Sequence, residues 1–212
     1  MPDLGEWWYC VVPATASEPQ RFIRVESRRH PDHARVVLEA ATAREQIGDD
    51  AVCTVTYDTH GRVAFVERAA SFAPEAPPLW FVEFRESTAR PPAVNLVAFT
   101  GHGQQTGAVF DRSDLASLPI TNADQLGAVR WYPATGEIDQ IYIAPRARRR
   151  KIATALLISA GTLSLARGWP RFWGDGQRTE LGEQLRNSRA AWQRSTADLT
   201  HIAPPMTPPD AT

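Results

Sequence analysis

The chain has 212 residues, enough for one large domain or two small ones with a self-sufficient core. At 43% hydrophobic and 22% charged residues it falls in the ordinary globular range, which excludes wholesale disorder and a fibrous architecture. The formal net charge is -1, from 23 basic and 24 acidic residues, so no global field attracts a polyanion or an anionic membrane surface, and any anion site has to be local.

Strand-like runs recur from Glu6 to about Phe99: Trp7 to Val12, Phe22 to Val25, Val52 to Tyr57, Val63 to Val66, Trp80 to Phe84 and Val94 to Phe99. Several alternate apolar and polar residues as half-buried antiparallel strands do. Asp58-Thr59-His60-Gly61 reads as a hairpin turn, with glycine supplying positive φ. Frequent Ala and Glu predict a helix over about Pro31 to Gln46. Phe72 to Pro78 and Ala89 to Pro92 read as loops because proline removes a backbone donor. A short helix is expected from Asp111 or Ser113 to just before Pro119.

Two apolar strands follow, Gly127 to Tyr132 and Ile138 to Ile143, joined by the turn Pro133 to Gly136. The basic run Arg146 to Lys151, with the chain's only lysine, leads into a helix over Ile152 to Arg167. Its Ile152, Ala155, Leu156, Ser159, Ala160 and Leu163 fall on one face at helical spacing, and Gly168 stops it. Arg171 to Trp173 reads as a short strand, Thr179 to Arg194 as a second helix with Thr179 as N-cap, and Ala203 to Pro209 as an extended polyproline tail.

A strand that turns tightly into a helix aims the helix's first free N–H groups, and the positive end of its dipole, at whatever lies above the strand's end. Arginines around that turn add bidentate contacts, so a pyrophosphate with a further phosphate is a fitting ligand.

The stretch Gly136 to Leu157 resembles the fourth strand and third helix of GNAT acyltransferases. In that family the helix start carries Arg/Gln-x-x-Gly-x-Gly/Ala, here Arg148-x-x-Lys151-x-Ala153, so Lys151 stands where glycine is usual. The resemblance covers about a third of the chain. It implies an α/β fold of the α+β kind, with a mixed, mainly antiparallel central sheet flanked by helices. With the strand-like runs before it and the prolines after it, this divides the chain into a β-rich region of unassigned role over 1–120, an acyl-coenzyme A binding core implied by the resemblance over 121–195 and a Pro-rich tail over 196–212. The activity implied is transfer of an acyl group from acetyl-coenzyme A, or another acyl-coenzyme A, to an amine on a small molecule or protein, with no metal.

Main-chain groups of Ile141, Tyr142 and Ile143 would bind the pantetheine arm, and the turn from Arg148 through Arg149, Arg150, Lys151, Ile152, Ala153 and Thr154 would hold the phosphates. Glu137 matches the position of the family's catalytic base, Asp139 lies two residues on, and Tyr142 is the candidate acid for the leaving thiolate. The family's tyrosine on the following helix has no counterpart among Arg186 to Trp192. These two departures keep a second reading open, a non-catalytic GNAT-like module for protein contacts in a larger assembly or homo-oligomer.

Other features have plainer readings. His30-Pro31-Asp32-His33 lacks the further ligands of a zinc site. The single basic cluster, without a nucleic-acid motif, argues against nucleic-acid binding. The start of the sequence lacks a basic segment followed by an apolar one, and no apolar run approaches the roughly 20 residues of a membrane span, so a cytoplasmic protein is expected. Cys10 and Cys53 are too few for a disulfide framework and read as reduced, partly buried thiols.

Overall fold

The hairpin at residues 57–63 shows how local chemistry seeds the sheets. Asp58 Oδ1 accepts from the N–H groups of His60 and Arg62, both at 2.8 Å, while Gly61 takes φ +74°, a conformation that suits a residue without Cβ. The turn joins Ala51–Tyr57 (β4) to Val63–Arg68 (β5). β4 also pairs antiparallel with Arg21–Glu26 (β2), which pairs antiparallel with Trp7–Val12 (β1), and Arg35–Val37 (β3) adds to β1 in parallel. The computed structural model describes residues 7–188 and 195–204.

This first sheet has the order β3-β1-β2-β4-β5. The short helix Ala40–Ile47 (α1) covers one face of it, over a cluster built on Trp8, Cys10, Val12, Ile23 and Val25. The helix expected over Pro31 to Gln46 is therefore confined to its second half. Val36 and Val37 are β-branched and find free main-chain partners at the edge of β1, which outweighs the helical composition around them.

The second sheet contains Trp80–Glu86 (β6), Ala93–Phe99 (β7), Val109–Asp111 (β8), Gly127–Trp131 (β9) and Ile138–Ile143 (β10), in the order β10-β9-β7-β6-β8. Only the β6–β8 pair is parallel. Residues 107 and 108 stitch the two sheets together. Val66 donates to the Gly107 carbonyl at 2.7 Å and Phe81 to that of Ala108 at 2.8 Å. The architecture is α+β, with mixed sheets and few helices.

The long helix Ile152–Ala166 (α2) packs against both sheets, touching β2, β4 and β5 on one side and β7, β9 and β10 on the other. Of its 15 residues all but Ala153, Leu165 and Ala166 are buried. The expected single apolar face is thus too narrow: the helix is a central rod, and its Ala, Ser, Thr and Gly residues let strands approach from several directions. Gly168, at φ +74°, ends it with its N–H bonded to Leu165 at 3.0 Å, as a C′ glycine does.

After α2 the chain touches the start of β10. Trp173 bridges Glu137 in parallel, its N–H bonding the Gly136 carbonyl at 3.1 Å while Ile138 N–H bonds the Trp173 carbonyl at 2.9 Å. The strand expected over Arg171 to Trp173 is reduced to this one bridge. Gln177–Arg178 (β11), Glu180–Asn187 (α3) and His201–Ile202 (β12) are the remaining elements among the described residues. α3 starts as expected, Thr179 Oγ1 accepting from Gly182 N–H at 3.1 Å, and ends at Asn187; the remainder of the helix expected to Arg194 falls largely on residues outside those described. Most of the expected polyproline tail also lies outside them.

Candidate functional site

β10 is an edge strand, and its hydrogen-bonding alternation decides which groups are open. Gln140 and Tyr142 oppose Arg130 and Ala128 of β9. Tyr132, two residues from Arg130, bonds towards the β10 side through both its N–H and its carbonyl, so 128 and 130 are the residues of β9 that pair with β10. The main-chain groups of Ile141 and Ile143 then face away from β9. They border a cleft of about 1190 Å³ that opens where β10 and the segment after Trp173 diverge from their bridge.

The second wall is α2. The first N–H of the helix to find a partner is that of Ala155, which bonds the Lys151 carbonyl at 3.0 Å. Among the described residues no hydrogen bond occupies the N–H groups of Arg149 to Thr154, and no side chain caps the helix. Arg149 and Lys151 adopt left-handed backbone, at φ +62° and +53°, and this shapes the turn so that consecutive amides converge ahead of the helix. Glycine at position 151 would take this conformation freely; Lys151 holds it against the steric cost of its Cβ.

The arginines divide in role. Arg148 Nε lies 3.3 Å from the Ile143 carbonyl and so spans the gap between strand end and helix start. Arg149 Nη2 donates to Gln184 Oε1 of α3 at 2.9 Å, drawing that helix over the cleft. Arg150 is exposed and, unlike Arg148, Arg149 and Lys151, does not line the cleft, so the expected contact from its side chain is not preformed. Arg146 turns away and donates to the carbonyls of Ala123 and Gln125. Ile152 and Thr154 bury their side chains, so only their main chain is available to a ligand.

The three candidate catalytic residues are not equivalent. Tyr142 and Asp139 line the cleft, whereas Glu137, half-buried at the bridge to Trp173, does not. The Asp139 carboxylate accepts from Tyr132 Oη at 2.8 Å and lies 3.0 Å from Arg130 Nε, whose Nη1 also pairs with Glu86. The bond to Asp139 is the leading reason that the Tyr132 phenol is pushed above its ordinary range.

From the helix start the cleft follows one stripe of α2, through Thr154, Leu157, Gly161 and Leu165. At 1.5 Å per residue this spans about 16 Å. At the inner end it meets residues that the sequence did not single out: Trp7 and Tyr9 of β1, Arg24 of β2, and Arg171 and Phe172 beyond α2. Arg24 is 5% exposed. In the run Phe22-Ile23-Arg24-Val25 nothing local distinguishes it from a solvated strand residue, because the cover comes from α2, more than a hundred residues away. Burial pushes its guanidinium below the usual arginine range and the Tyr9 phenol above the usual tyrosine range.

Among the described residues no group of three or more His, Cys, Asp or Glu is placed to hold a metal ion, and no helix is long and apolar enough to cross a membrane. Cys10 and Cys53 are free and buried. No family model, curated protein or solved structure matches this chain.

Proposed function

We propose that the chain is a GNAT-like, acyl-coenzyme A dependent N-acyltransferase acting on an amine. The observation that carries this reading is the set of unbonded N–H groups from Arg149 to Thr154, facing a cleft whose opposite wall is the unpaired edge of β10. The coenzyme's diphosphate would sit at the start of α2, with Arg148, Arg150 and Lys151 adding charge. Its pantetheine arm would run along Ile141 to Ile143 as an added strand, bringing the thioester into the stripe beside α2.

Transfer follows by direct attack. The neutral amine nitrogen bonds to the thioester carbon, the carbon–sulfur bond breaks, the amine loses one proton to a base and the thiolate gains one. Asp139 is the better placed base, since it borders the cleft and Tyr132 orients it, and Tyr142, on the strand that would carry the pantetheine arm, is the phenol that would protonate sulfur. Glu137 could act only through water. The buried free thiols agree with a reducing compartment, and the cytoplasm is the proposed location.

Thermal unfolding with coenzyme A tests the reading directly. Saturation at a hundred times the dissociation constant stabilises a protein by about 2.7 kcal/mol. No stabilisation at millimolar coenzyme A, in the protein and in Lys151→Gly alike, would leave the non-catalytic module as the better account, which Lys151 and the lack of a tyrosine among Arg186 to Trp192 already favour. A screen of amines with acetyl-coenzyme A then identifies the acceptor.

A further inference from the structure

The Arg24 guanidinium sits at the inner end of the cleft with its Cζ 3.6 Å from the centre of the Trp7 ring. Its Nε is buried without a hydrogen-bond partner, and so is the Trp7 indole Nε1. None of its nitrogens makes a hydrogen bond or ion pair to a described residue; of the carboxylates, Glu26 acts on it only through space. Gly161 of α2 faces it, and a Cβ there would stand 3.9 Å from Arg24 Nη1, in ordinary contact. A second cation, Arg171, approaches from the segment after α2, hydrogen-bonded to His33. Among the described residues, two half-buried arginines elsewhere are paired with carboxylates, Arg167 with Glu83 and Arg178 with Glu183.

A buried cation without a counter-charge is destabilising, and a protein that retains one gains by it only when an anion arrives. Arg24 offers a planar edge with one face covered by indole, the geometry that takes a carboxylate in two parallel hydrogen bonds. Beyond Arg24, Arg171 and the Trp7 Nε1 group, the lining here includes the apolar Leu165 and Phe172, which suits a two-oxygen carboxylate better than a phosphate that needs donors on every side. We propose that the inner end of the cleft is a carboxylate subsite, built on Arg24 with Arg171 and Trp7 Nε1 in support, and that the amine acceptor is one carrying a carboxylate, as a free amino acid or a peptide C-terminus does. The assignment of this carboxylate to the acceptor rests on the acyltransferase reading; the anion site itself does not.

Thermal shift on the full chain tests the anion site first, without any coenzyme present. The probes are a panel of free L-amino acids, the matching amino-acid amides, and inorganic phosphate. Free amino acids should stabilise the protein and their amides should not. Arg24→Met should weaken amino-acid binding at least about thirtyfold while remaining as stable as the parent or more so. Arg171→Gln, at an exposed position, supplies a second variant and should weaken binding less. Equal shifts for acids and amides, shifts with phosphate alone, or undiminished binding in Arg24→Met would overturn the site. Stabilisation by succinyl-coenzyme A well beyond that by acetyl-coenzyme A, with none by amino acids, would overturn the acceptor assignment by moving the carboxylate to the acyl donor. A null result with coenzyme A alone bears on the acyltransferase reading only.

Discussion

Arg167, at the end of α2, holds Glu83 of β6 by two hydrogen bonds, 2.6 Å from Nη1 and 2.5 Å from Nη2, with Arg85 adding a third at 2.9 Å. This fork ties the central helix to the second sheet where both side chains are largely buried. Removing Arg167 leaves the buried Glu83 carboxylate with only the exposed Arg85 as partner. Arg167→Leu should destabilise the fold by about 3 kcal/mol, read from urea unfolding, and the double variant with Glu83→Leu should recover much of the loss.

The same pair sets a pH dependence. Burial alone would raise the Glu83 carboxyl, but the hydrogen bonds and charge of Arg167 and Arg85 outweigh it and hold the group below the usual 4.5. The folded state therefore binds this proton less readily than the unfolded chain. The stabilisation is complete above the ordinary glutamate range and is lost as pH falls below it. Between about pH 5 and pH 3 the parent should lose more stability than the Arg167→Leu/Glu83→Leu variant, by unfolding followed at each pH.

Lys151→Gly should stabilise the protein by about 1 kcal/mol, because position 151 is left-handed and glycine carries no Cβ penalty there. Lys151→Val, β-branched in the same conformation, should destabilise it by more than that. Denaturant midpoints of the two variants check the sign.

Gly136 closes the fork at which β10 and the later segment part. Its φ is +76°, and a Cβ would lie 2.1 Å from the Arg171 carbonyl oxygen. Gly136→Ala should cost at least about 2 kcal/mol and break the bridge between Glu137 and Trp173, a loss readable as faster hydrogen exchange at Ile138 and Trp173.

Burial raises both thiols, Cys53 to about 11 despite its bond to Thr162, and Cys10 in the same direction. At pH 8 roughly one Cys53 side chain in a thousand is then thiolate. Neither cysteine should react with a disulfide reagent at pH 8 until denaturant is added, when both should titrate together.

The readable parts of the sequence were those where local chemistry decides. Asp58 and Gly61 define their own hairpin, the residues from Gly127 to Ile143 alternate or run apolar around a glycine turn, and Thr179 and Gly168 mark the helix ends they occupy. What depended on distant partners was hidden. Arg35–Val37 lies in a helical composition and becomes a strand because the edge of β1 is vacant. Arg24 lies in an alternating strand and becomes a buried cation because α2 covers that face. The turn from Arg148 to Thr154 was legible as strand into helix; the left-handed residues inside it, Arg149 and Lys151, were not, since neither is a glycine.

A helix gripped by both sheets has no route to local opening. Its amides from Leu156 to Leu163 can trade protons with solvent only when the entire molecule comes apart. They should be the last to exchange, on a shared timescale, and their rate would be a built-in gauge of global stability, including any gained when a ligand fills the space alongside.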